Sequence, residues 1–151
     1  MDDPVIRATF IPDLERKNIA VVSVWLNGPR DFSNRGPKPI LTPSDFRGVK
    51  MRVQAIPVSI ATMKTLGANV IAMDWTQVPT ALQQGVIDAV EPTPNALVGA
   101  GLPEMISQTS RVSYQYSFYL LSANRRWWAG LPEDMRASVQ EAIDFSGAGR
   151  N

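Results

Sequence analysis

The chain contains neither cysteine nor histidine. Without cysteine there is no disulfide staple, no thiolate nucleophile and no sulfur ligand for a metal. Without histidine the commonest general base and the commonest metal ligand are both gone. A Ser-His-Asp hydrolase and a histidine-ligated zinc site are thereby excluded. No apolar run is long enough to cross a bilayer as a helix. Charge of one sign is also lacking. Fifteen Lys and Arg stand against 14 Asp and Glu, a net charge of +1, so nothing argues for nucleic acid or an anionic membrane surface. No phosphate-cradling glycine loop, metal-ligand cluster or nucleophile motif is present, and neither metal nor cofactor is expected. What is there is 44% hydrophobic and 19% charged over 151 residues, enough for a globular domain with a sizeable core.

The pattern along the chain alternates between strand and helix periods. Residues 5–18 suggest a short helix starting near Pro12. Residues 19–26 read as a buried strand that Asn27-Gly28-Pro29 ends. Residues 27–44 hold four prolines and two glycines and read as a loop or hinge. Thr42-Pro43-Ser44-Asp45 predicts one helical turn capped by Thr42. Val49, Met51 and Val53 alternate with Lys50 and Arg52, which is strand period. Ile60, Met63 and Leu66 recur at helical spacing, and Gly67 suits a helix end. A short strand follows at 69–73. Next comes a helix from Thr76 with Val78, Leu82 and Val86 every four residues, then a strand at 87–90. Residues 93–106 predict a helix weakened by Gly99, Gly101 and Pro103. Residues 114–122 predict an aromatic strand, and Leu131-Pro132-Glu133-Asp134 opens a last helix with Met135, Val139 and Ile143 along one face. The stretch 45–92 thus reads as strand, helix, strand, helix, strand. Such units place ligands at the carboxyl ends of their strands. An arginine inside the first strand can grip a carboxylate through two parallel hydrogen bonds.

Taken one at a time, the candidate residues also have plain structural readings. Lys50 and Arg52 can be the polar face of a half-buried strand. Arg30 lies in a Pro/Gly-rich stretch, where an arginine is commonly solvated. Asn34 and Arg35 suit hinge hydrogen bonds. Trp75, before a helix, suits a core position. Glu91 suits a helix N-terminus, favoured there by the dipole. Tyr114, Tyr116, Phe118 and Tyr119 suit a sheet core, and Trp127 and Trp128 suit packing. Asp74, Asp88 and Glu91 are the acid-base groups that an enzyme acting on a small carboxylic acid would need near Arg52.

Six pieces in order carry a resemblance: Gly28-Pro29-Arg30, residues 43–53, Leu66-Gly67-Ala68, Ala72-Met73-Asp74-Trp75, residues 81–88 and Leu131-Pro132-Glu133-Asp134. Over roughly 19–145 the chain resembles the substrate-binding proteins of tripartite ATP-independent periplasmic (TRAP) transporters. The resemblance implies a periplasmic-binding-protein-like α/β fold of two lobes that closes on an organic acid, without a catalytic step. It implies membrane subunits of a TRAP transporter as partners and a periplasmic location. It assigns residues 28–115 to the second, ligand-binding lobe with its βαβ units, and 1–27 and 116–151 to remnants of the first lobe. It also implies an incomplete chain. The start Met1-Asp2-Asp3-Pro4 lacks the features of a signal peptide, and residues 146–151 stop abruptly, so both ends are expected to be cut. Homo-oligomer formation or domain swapping is a further expectation, since strands 19–26 and 114–122 would lack sheet neighbours. Residue by residue, the resemblance places Arg52 on the arginine that pairs with the ligand carboxylate and Arg30 on a second arginine that touches the ligand in some members. Asn34, with Arg35, matches a Ser-Asn-Arg piece seen in some members, which implies ligand contact or hinge hydrogen bonding. Trp75 falls on an aromatic that lies against the ligand. Glu91 matches a glutamate that can orient Arg52 or a ligand hydroxyl. Pro92 stands where many members have asparagine; it has no amide to offer, so the recognised acid can differ. Two rivals remain: an enzyme for a small carboxylic acid, and a non-binding chain that oligomerises.

Overall fold

The structure is a computed structural model and describes residues 4–148. The acidic start at 1–3 and the end at 149–151 lie outside the described residues. In chain order the elements are α1 (Pro4–Arg16), β1 (Ile19–Asn34), β2 (Lys50–Val53), α2 (Pro57–Thr65), β3 (Asn69–Ala72), α3 (Val78–Gln83), β4 (Ala89–Val90), α4 (Pro94–Gly99), β5 (Gln108–Asn124), α5 (Arg125–Gly130) and α6 (Glu133–Ala148). The chain forms two compact units, one of residues 28–117 and one of 1–27 with 118–151.

The 28–117 unit is built on the βαβαβ run. β2 pairs in parallel with β3, with Arg52 opposite Ile71, and with β4 through Met51 and Ala89. β1 runs antiparallel to β4, with Ser33 opposite Val90 and Asn34 opposite Ala89. The sheet order is β3-β2-β4-β1-β5, which leaves β5 at an edge. Because side chains alternate across a strand, the sheet supports two apolar layers. Phe32, Phe46, Met51, Val53 and Met63 form one, and Val78, Ala81, Leu82, Ile87, Val90 and Leu102 form the other. Arg52 lies between Met51 and Val53 and so projects from the opposite face of β2.

Local sequence explains where these elements stop. α2 opens on Pro57, which has no amide to lose in a first turn. It ends at Gly67, whose φ of 93° suits glycine, and Ala68 N donates back to Met63 O at 3.1 Å. α3 is shorter than its apolar repeat predicts. It ends at Gln83, Gly85 turns the chain at φ 70°, and Val86 is left 45% exposed. Asp88 then fixes the start of β2. Its amide donates to Lys50 O at 2.8 Å, and its Oδ2 accepts from Lys50 N at 3.2 Å. Thr42 and Asp45 form the predicted turn, with Asp45 Oδ2 accepting from Thr42 N at 2.8 Å. These bonds hold the Asp45 carboxyl below its ordinary pKa.

Other boundaries also differ from the sequence reading. β1 does not end at Asn27-Gly28-Pro29 but continues to Asn34, so much of the expected loop is strand. Tertiary pairing overrides the turn signal: Asp31 N donates to Pro92 O at 3.2 Å and Arg35 N to Asp88 O at 3.0 Å. Gly28, at φ 108°, absorbs the irregularity. α1 begins at Pro4 and contains Pro12 in its interior. The 93–106 helix breaks after Gly99, because Gly101 adopts φ 65° and a separate 3-10 turn forms at Pro103–Met105.

In the other unit, Asn124 caps α5 by accepting from Arg126 N and Trp127 N, and Arg125 N donates to Asn18 O at 2.8 Å. Beyond Tyr114, which packs against the Phe32 layer, the aromatic part of β5 is not sheet core. Phe118 and Tyr119 are each 48% exposed, Tyr116 in the 28–117 unit is 55% exposed, and Trp127 of α5 is 58% exposed. Among the described residues, every buried core side chain lies in the 28–117 unit, between Phe32 and Leu102. No helix of the described residues is long and apolar enough to cross a membrane.

This packing separates two positions of the same repeat. Leu82→Ala, at 2% exposure, should lower stability by about 2–5 kcal/mol in chemical denaturation. Val86→Ala, half exposed beyond the end of α3, should change it by no more than about 0.5 kcal/mol. Equal losses at the two positions would contradict the assigned end of α3.

Candidate ligand-binding site

Arg52 is 3% exposed, in the middle of the buried strand β2. Its Nε and Nη2 donate to Met73 O at 3.1 and 2.7 Å. Met73 follows β3, and its own amide donates to Val53 O at 3.3 Å, so the chain leaving β3 is tied to the end of β2. The Trp75 ring then covers the guanidinium, with Cζ 5.2 Å from the ring centroid. That is cation-π distance. Among the described residues, no carboxylate lies within ion-pair distance of Arg52. Burial pushes its pKa down, Glu91 pushes it up, and Arg30 and Asp74 add smaller opposed effects. A buried cation held only by a neutral carbonyl is an unfinished arrangement, since burying a charge is costly unless it is paired.

Arg30 is in a different state. Its Nε donates to Glu91 Oε2 at 2.6 Å, and its Nη2 makes an ion pair with the same oxygen. Tyr114 Oη donates to that oxygen as well, at 2.6 Å. The Tyr114 ring stacks on Phe32, 4.7 Å between centroids, and Phe32 meets Phe46 edge-on. Burial, with Glu91 alongside, raises the Tyr114 pKa well above its ordinary value, so the hydroxyl stays a donor. Glu91 follows β4, and Arg30 lies on the stretch of β1 that pairs back toward Pro92. Arg30, Arg52, Trp75 and Glu91 therefore all belong to the end of the sheet where β2, β3 and β4 finish, and Tyr114 is joined to it through Glu91.

Asn34 stands apart from this group. It pairs with Ala89 at the beginning of β4, and its Nδ2 donates to Lys38 O at 2.8 Å. Its buried Oδ1 has no partner among the described residues. Asp88 is occupied with Lys50, as described above. Glu91 makes its hydrogen bonds and ion pair with Arg30 and Tyr114, not with Arg52. Tyr114 is the member that sequence reasoning missed, having grouped it with Tyr116 as sheet core. Ser113, at φ 49°, breaks the strand alternation just before it, and its amide donates to Asp31 Oδ1 at 2.9 Å. Nothing in the local sequence marks this break, because Asp31 and Glu91 come from other strands. Among the described residues, no group of three or more Asp or Glu is placed to hold a metal ion.

Chemically, the arrangement offers one buried guanidinium without a counter-ion, an aromatic face beside it and an oriented carboxylate nearby. That is equipment for holding an anion. Residues 2–150 match the family described as bacterial extracellular solute-binding protein, family 7. The chain is 34% identical over 134 residues to the C4-dicarboxylate-binding periplasmic protein DctP of Rhodobacter capsulatus, covering 89% of this chain and 40% of that protein. It is 37% identical over 130 residues to the 2,3-diketo-L-gulonate-binding periplasmic protein YiaO of Escherichia coli, covering 85% and 39%. Among solved structures, a TRAP periplasmic solute binding protein from Anaerococcus prevotii with bound D-glucuronate superposes with a TM-score of 0.88 at 30% identity, covering 100% of this chain and 49% of that one. The chain thus spans about two fifths to half of the length of these relatives. With the match running over nearly all of its residues, the chain belongs to family 7 of the bacterial extracellular solute-binding proteins.

Proposed function

We propose that this chain provides ligand-binding residues of the extracytoplasmic solute-binding subunit of a TRAP-type transporter, and that Arg52 takes the carboxylate of an organic acid. The observation that carries the reading is the state of Arg52. It is buried, fixed at one edge by a carbonyl and covered by Trp75, yet it lacks an anionic partner among the described residues. A ligand carboxylate completes it. In a dry site that charge-assisted pair is stronger than the same pair on a surface. The named relatives fit this reading, since a C4-dicarboxylate, 2,3-diketo-L-gulonate and D-glucuronate all present a carboxylate.

The 28–117 unit is then the ligand-binding lobe and the other unit belongs to the first lobe. The place of action is the periplasm and the partners are the membrane subunits of the transporter. No catalytic step is part of the proposal. Asp88 is committed to Lys50, and Glu91 to Arg30 and Tyr114, which leaves neither placed as a general base.

Calorimetry of the chain with a panel of organic acids tests the anchor. Arg52→Lys keeps the charge but loses the planar fork, and should weaken binding by about 1.5–3 kcal/mol. Unchanged affinity would rule Arg52 out. Trp75→Ala removes the face that steadies the guanidinium, so every bound acid should lose on the order of 1 kcal/mol. Circular dichroism on the same sample would separate this loss from unfolding, and a loss confined to acids with apolar bodies would mean that Trp75 serves the ligand rather than Arg52.

A further inference from the structure

The two arginines differ in a way that bears on which acid the site accepts. Arg30 donates through Nε and pairs through Nη2 with one oxygen of Glu91, and Tyr114 donates to that same oxygen. Arg30 is thereby neutralised inside the protein. Arg52 is not, because its bonds go to the carbonyl of Met73. The Arg30-Glu91 pair is internally neutral and the buried Asp31 carboxylate is bonded to Ser113 N, so among these groups Arg52 is the cation without an ion-pair partner for a ligand to meet. Asp74, exposed at the rim, adds negative field at Arg52.

Resting on the reading of Arg52 as the carboxylate anchor, we infer that the site selects a monocarboxylate bearing hydroxyl groups over a dicarboxylate, and that Glu91 makes the choice. The physical ground is twofold. A carboxylate accepts hydrogen bonds and donates none when ionised. The three bonds above converge on Oε2, and Oε1 carries none of them. Oε1 is an acceptor for a ligand hydroxyl and a repulsive neighbour for a second ligand carboxylate. An unpaired like charge brought into a buried site is a strong source of discrimination, because it penalises the wrong ligand directly. Tyr114 is a positioning residue in this scheme. Its hydroxyl, on a ring stacked against Phe32, donates to Oε2 alongside Arg30 and leaves Oε1 outside these bonds.

The test is a ratio of affinities, measured by calorimetry on the full chain with D-glucuronate and succinate at one pH and ionic strength. The unaltered chain should bind D-glucuronate at least tenfold more tightly. Glu91→Gln removes the repulsive charge and releases Arg30 as a second anion anchor, so the ratio should move at least tenfold toward succinate. Tyr114→Phe leaves the charge in place. It should weaken D-glucuronate several-fold with no gain for succinate, whereas a merely structural loss would lower both acids alike and leave the ratio unchanged. The ratio is read within one preparation, so partial unfolding of a variant cancels. Succinate binding as tightly as D-glucuronate, or an unaltered ratio in Glu91→Gln, overturns the inference. Arg52→Lys separates it from the anchor: weakening of both acids with no Glu91 effect removes the selectivity alone, while no weakening of either removes the anchor and the selectivity together.

Discussion

The site depends on one buried charge. Arg52 sits in the central strand of a parallel βαβ unit, flanked in sequence by core residues Met51 and Val53. A guanidinium in that position is costly unless something pairs with it. Met73 O takes two of its donors and Trp75 covers its face, but both are neutral. The neighbouring architecture follows from that need. The chain leaves β3 so that Met73 and Trp75 wrap the group, and β4 ends so that Glu91 stands close enough to act on it electrostatically.

Glu91 could have cancelled the charge of Arg52, and does not. Arg30 and Tyr114 compete for it and hold it at 2.6 Å each. The pair Arg30-Glu91 is therefore internal structure, and in the proposed function Arg52 is the cation left for a ligand. This division of labour between two arginines only 22 positions apart in the chain is set by strand position. Arg30 lies beside the end of β4, and Arg52 lies beside the end of β3.

Much of this was legible in the sequence, because parallel βαβ units are coded locally. The alternation at 49–53 places Arg52 on the face opposite Met51 and Val53. Gly67 marks the real end of a helix, and the ordered motifs carry the family. What was not legible was decided by distant partners. β1 continues through Asn27-Gly28-Pro29 because its far end pairs with the 88–92 stretch. Turn chemistry lost there to sheet hydrogen bonding. Val86 keeps helical spacing but falls outside α3, because Gly85 stops the helix. Tyr114 and Tyr116 look equivalent by period two, yet Tyr114 bonds to Glu91 and stacks on Phe32 while Tyr116 is exposed, because the partners that meet Tyr114 come from distant segments. Asn34, placed by resemblance with the ligand residues, ends β1 opposite the beginning of β4, where its amide donates to Lys38 O.

The most direct measurement is a crystal structure of the chain with D-glucuronate bound. The account predicts the ligand carboxylate within about 3.2 Å of the Arg52 guanidinium, with the Arg30-Glu91-Tyr114 bonds intact. A carboxylate seated on Arg30, with Arg52 still bonded to Met73 alone, would contradict it.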